Sequence, residues 1–135
     1  MEATIKDKAN KAAVTFLQRR GYDILEEGWA HGTDSVDVIA RDDEDMVFVD
    51  VLVNSAGLDM PEEKPDRGKF ERIAAAYLAE AAEDEDLSVR FDIVSLLVIG
   101  ESRALLREGR IFHIIAFLSS TARCRSKPCR RESGP

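Results

Sequence analysis

Cysteine and histidine are scarce in this chain, and their scarcity excludes whole classes of site. The cysteines are Cys124 and Cys129, separated by four residues near the C-terminal end, and the histidines are His31 and His113. A structural zinc site needs about four such ligands together. Two thiols far in sequence from either histidine do not supply them, so free thiols in a tail are expected. With so few cysteines, and no secretory signal around Glu2, Lys6, Asp7 and Lys8, a disulfide scaffold is not expected and a cytoplasmic setting is. Long apolar runs are missing too. The longest, residues 93–100, has the length of a strand, well short of the roughly 20 residues that cross a bilayer as a helix. No membrane association is therefore expected. Neither an internal repeat nor a linker divides the 135 residues. The expectation is one domain over residues 1–118, with a modest core, followed by a disordered tail over residues 119–135.

Positive charge is in short supply wherever a fold is expected. The formal net charge is −7, from 19 basic and 26 acidic residues. The tail carries Arg123, Arg125, Lys127, Arg130 and Arg131 against Glu132 alone, so the body before it stands at −11. Affinity for a phosphate backbone rests on lysine and arginine neutralising phosphates, and a body this acidic opposes it. The tail offers nonspecific attraction at most, and its serines, glycine and prolines mark it as a solvated end.

Two aspartates in the middle of the chain carry the chemistry. Val36, Val38 and Ala40 alternate with Ser35, Asp37 and Ile39, the period of a strand. Residues 46–53 are apolar at nearly every position, as in a strand covered on both faces. A turn centred on Asp43 and Glu44 makes opposed residues sum to 87, which sets Asp37 against Asp50 and Ser35 against Leu52. Like charges directly opposed destabilise a sheet. Three things offset that repulsion: a bound cation, a basic neighbour, or a raised carboxyl pKa.

The remaining pattern predicts the order αβββαββ. Thr4 caps a helix that runs to about Arg20, with Ile5, Ala9, Ala12, Ala13, Phe16 and Leu17 on one face and Gly21 ending it. Residues 22–29 form a first strand ahead of the two aspartate strands. Pro65 or Asp66 opens a second helix to about Ala82, with Phe70, Ile73, Ala74, Tyr77 and Leu78 as its buried stripe. An acidic turn at residues 83–86 leads to strands at 89–99 and 109–117.

Several strings, in this order, resemble the YraN-like family, whose fold is that of the restriction endonucleases and archaeal Holliday-junction resolvases. They include Gly21-Tyr22-Asp23-Ile24-Leu25, Ser35-Val36-Asp37-Val38-Ile39-Ala40 and Val47-Phe48-Val49-Asp50-Val51-Leu52. Pro61-Glu62-Glu63, Lys69 with Arg72-Ile73, Arg90-Phe91-Asp92-Ile93-Val94 and His113-Ile114-Ile115-Ala116-Phe117 continue the likeness. The resemblance covers about residues 5–118. It implies an α/β, restriction-endonuclease-like fold, a central mixed sheet flanked by helices, and a PD-(D/E)XK metal site. Asp37 and Asp50 would hold Mg²⁺ or Mn²⁺ in that site.

The chain departs from the pattern where the chemistry lies. Leu52 stands at the motif lysine, Ser35 at the glutamate before the first aspartate, and Asn10 at a first-helix glutamate. A leucine neither carries charge nor orients a hydroxide. Three readings follow. The first is a degenerate nuclease-fold protein that does not cleave and serves as a nucleic-acid-associated or interaction module. The second is an active metal-dependent endonuclease on DNA or RNA, in which Asp37 and Asp50 hold the metal and Lys69 replaces the missing lysine. The third is a structural or partner-binding domain that holds no metal.

Overall fold

Helix α1 (Ile5–Arg19) starts at the cap expected for it. Thr4 Oγ1 accepts the Asp7 N–H at 3.0 Å while Asp7 Oδ2 accepts the Thr4 N–H at 3.2 Å. This reciprocal box satisfies two donors that a helix start leaves open. The helix ends at Arg20, followed by Gly21 at φ +94°, a conformation that costs glycine little. Thr4→Ala should lower stability by about 1 kcal/mol in urea unfolding. An unchanged midpoint would mean that the box contributes nothing.

The computed structural model describes residues 4–43, 45–57, 59–80, 88–100 and 103–115. Five strands, β1 (Asp23–His31), β2 (Asp34–Asp42), β3 (Asp45–Asn54), β4 (Ser88–Ile99) and β5 (Arg103–Ile115), join in that spatial order. Neighbours are antiparallel except β3 and β4, which are parallel and connected through helix α2 (Arg67–Glu80). The result is the expected αβββαββ arrangement, a mixed sheet flanked by two helices. That is consistent with a restriction-endonuclease-like layout.

The two helices cover opposite faces of the sheet, because alternate residues of β3 belong to different cores. Val47, Val49 and Val51 pack with Ala9, Ala13 and Leu17 of α1. Met46 and Phe48 pack with Phe70, Ile73, Ala74, Tyr77 and Leu78 of α2. The α2 stripe is thus the one expected. On α1, Ile5 is instead exposed and Val14 buried. Position 5 lies in the first turn, beyond the edge of the apolar contact.

Strand β5 begins at Arg103, six residues before its expected start, with Ala104 to Glu108 paired to Val98 to Val94 of β4. Arg107 and Arg110 break the apolar alternation because an edge strand leaves side chains in water, whereas the Glu108 side chain is largely buried and accepts from the Tyr22 hydroxyl at 3.0 Å. The expected acidic turn at 83–86, strand residues 116–117 and the tail with Cys124 and Cys129 lie outside the described residues.

Candidate functional site

The β2–β3 hairpin puts both aspartates in the middle of the sheet. Its pairs run from Asp42↔Asp45 to Val38↔Val49, each summing to 87, with Asp43 in the left-handed region at φ 56°. That is the expected register, although Glu44 itself lies outside the described residues. Beyond Val38 and Val49 the expected pairs Asp37–Asp50 and Ser35–Leu52 are not part of the ladder. Ser35 pairs with Ala30 of β1, and Leu52 with Ser95 of β4. The cause is the Asp37 carboxylate, whose Oδ2 accepts the Val51 N–H at 2.7 Å in place of a backbone carbonyl.

Each carboxylate has its own lysine. Lys6 Nζ, from the first turn of α1, donates to Asp37 Oδ2 at 2.9 Å and also to the Val51 carbonyl oxygen. Lys69 Nζ, from the first turn of α2, lies 3.3 Å from Asp50 Oδ2. A basic neighbour is therefore one device that offsets the repulsion, and a raised pKa is another. Burial pushes the Asp50 carboxyl above its ordinary value, and the negative charge of Asp37 adds to this, while Lys69 and Lys6 pull it down. Lys69 had been singled out in the sequence; Lys6 had not. Nothing local marks a lysine that reaches 31 residues along the chain to its partner.

Leu52 shares a face with Asp50, two residues along the strand, and packs against the α2 core. Its β4 partner Ser95 is fully buried and donates from Oγ to Glu63 Oε2 at 3.0 Å, and Arg107 lies 3.3 Å from the same oxygen. Glu63, from the connection before α2, and Arg107, from β5, thus meet beside the leucine's β4 partner. Asn10, on α1, has a buried Oδ1 with no hydrogen-bond partner among the described residues.

Asp50, Lys64, Asp66 and Lys69 line a cavity of about 50 Å³ over Phe48 and Phe70. It has room for water, since one water needs only about 10–15 Å³, but pockets for drug-sized ligands run to about 300–1,000 Å³. A drug-sized ligand does not fit inside this cavity. Among the described residues, no three or more His, Cys, Asp or Glu side chains form a group that could hold a metal ion. As arranged, Asp37 and Asp50 are compensated by ammonium groups. The side chains present do not fit a divalent cation unless Lys6 or Lys69 is displaced.

The uncharacterised protein family UPF0102 matches the chain over residues 9–96, from α1 through most of β4. This chain belongs to the UPF0102 family. A UPF0102 protein of Chlorobium phaeobacteroides (strain BS1) is 31% identical over 106 residues, covering 76% of this chain and 83% of the relative. Another, from Bacteroides thetaiotaomicron, is 37% identical over 93 residues, covering 67% and 75% respectively. The family match spans Asn10, Asp37, Asp50, Leu52 and Lys69; Lys6 lies before it.

A second polar cluster of this UPF0102 protein lies on the α1 side of the sheet. Arg90, fully buried, grips Asp92 through Nε and a terminal nitrogen at 3.0 Å each. It also reaches Asp42 and Asp45 at 3.2 Å each and donates to the Tyr22 hydroxyl. One arginine thus bridges the opposed aspartate pair Asp42↔Asp45 at the end of the hairpin. Sequence reasoning missed this cluster. Its signal was Arg90 and Asp92 two residues apart, on one face of an otherwise apolar strand.

Proposed function

We propose that this UPF0102 protein is a nuclease-fold module that does not cleave nucleic acid and acts in the cytoplasm as a nucleic-acid-associated or interaction module. The observation that carries the reading is Leu52, packed into the α2 core on the face of Asp50, where a motif lysine would project. Hydrolysis of a phosphodiester by a metal centre needs a cation to lower the water pKa and to offset charge at the phosphate. Here the carboxylates are met by Lys6 and Lys69 instead. Basic residues around the start of α2 each lie beside a carboxylate: Lys64 by Glu62, Arg67 by Glu71 and Arg72 by Asp34. Those negative charges weaken the attraction of this region for a phosphate backbone.

The contact between Lys69 and Asp50 favours a second reading, an active endonuclease. Asp37 and Asp50 would then hold Mg²⁺ or Mn²⁺, which would supply the Lewis acid, and Lys69 would orient the attacking water. Incubation with Mg²⁺ or Mn²⁺ and duplex, single-stranded or branched DNA, or RNA, decides between them. No cleavage is expected. Metal-dependent cleavage abolished by Asp50→Asn would overturn the first reading. Its further loss in Lys69→Ala would establish the second.

A further inference from the structure

We propose that Lys6 is the resident cation of a latent divalent-cation site, and that its ammonium group keeps the Asp37–Val51 oxygens closed to metal. The inference deepens the non-cleaving reading and rests on it. Lys6 Nζ occupies the place of a hard cation, between a carboxylate oxygen of Asp37 and the carbonyl oxygen of Val51. Oxygen donors of these two kinds are what Mg²⁺, Mn²⁺ and Ca²⁺ take. The carboxylate is pre-positioned, because Asp37 Oδ2 is also held by the Val51 N–H at 2.7 Å.

Two further oxygens belong to the same region. Asp50 precedes Val51 in β3, and its carboxyl feels the charges of both Asp37 and Lys6. Asn10 lies one helical turn after Lys6, on the same face of α1, and its buried Oδ1 has no partner among the described residues. An orphaned acceptor costs free energy unless some donor or cation visits it.

The position of Lys6 fits a charge that serves the site rather than the helix. A cation in the first turn of a helix opposes the macrodipole, so Asp37 and Val51 must offset that penalty. Lys6 is about half exposed, with 45% of its side chain accessible. Its flexible stem lets the ammonium group be removed without opening the core.

The test is Mn²⁺ binding to the full chain without nucleic acid, read from the electron paramagnetic resonance signal of free Mn²⁺ and checked by calorimetry. Removing one positive charge beside a dication should tighten binding at least about tenfold in Lys6→Ala, by the Coulomb energy of two near charges. Lys6→Gln should behave alike, and Asp37→Asn added to Lys6→Ala should reverse the gain. Circular dichroism confirms the fold of each variant. Equal Mn²⁺ binding by the unmodified chain and both folded Lys6 variants would overturn the proposal, as would a gain that survives Asp37→Asn. Those results leave the cleavage assay untouched. Cleavage by the unmodified chain would instead sink the non-cleaving reading, so the two failures are told apart.

Discussion

Arg90→Leu should destabilise the protein by about 3–5 kcal/mol, the usual cost of removing one partner from a buried ion pair. No part of the Arg90 side chain reaches solvent, and none of the Asp92 side chain does either. Deleting the guanidinium strands Asp92 in the core, and the Tyr22 hydroxyl, Asp42 and Asp45 each lose a contact with it. A cation–π contact is lost too, since the guanidinium carbon lies 5.6 Å from the Tyr22 ring centroid. Domains are held by only about 5–15 kcal/mol in all, so the urea midpoint should drop steeply. The double variant Arg90→Leu with Asp92→Leu should recover part of the loss, because no buried charge is then left alone. A loss below about 1 kcal/mol for Arg90→Leu, the scale of a surface pair, would show that the cluster is not the anchor described.

The second large effect is on pH dependence. Burial pushes the Asp92 carboxyl up to about 7, helped by its bond with Glu108 and opposed by Arg90. Glu108 also accepts from the Tyr22 hydroxyl at 3.0 Å, and burial pushes that hydroxyl up to about 12, so it stays neutral. The folded protein therefore holds a proton on Asp92 that the unfolded chain releases near the ordinary value of 3.8. Because the folded pKa lies above the unfolded one, the folded state binds more protons between those two values. The stabilisation is fully present below about pH 4 and is lost as pH rises towards 7, with a slope of about 1.4 kcal/mol per pH unit. Relative to Asp92→Asn, the unmodified protein should lose on the order of 3–4 kcal/mol of unfolding free energy across that window. Urea titrations at steps between pH 4 and 7.5 measure it. A stability profile of the unmodified protein parallel to that of Asp92→Asn would rule the retained proton out.

Both effects arise in a cluster that local sequence patterns did not expose, whereas much of the scaffold was legible. Thr4 with Asp7, and Gly21 after Arg20, mark the ends of α1 through contacts within a few residues. Phe70, Ile73, Ala74, Tyr77 and Leu78 repeat at the helical period, and their burial follows from that spacing. The apolar run of β3 required cover on both faces, and α1 and α2 supply it. The hairpin register followed from a two-residue turn, which fixes pairing close to it.

The sequence by itself therefore determined the element order, the α2 face and most of the α1 face, the central strand and the neighbourhood of Asp37 and Asp50, because each depends on short-range periodicity or a tight turn. Tertiary structure alone decided that Asp37 would take the Val51 N–H and end the ladder, and that Lys6 would settle on Asp37. It alone decided as well that Arg90 would bind aspartates 48, 45 and 2 residues away. Hydrogen bonds and ion pairs act over about 3 Å, so which distant groups meet depends on how helices and strands pack. No periodicity along the chain encodes that meeting.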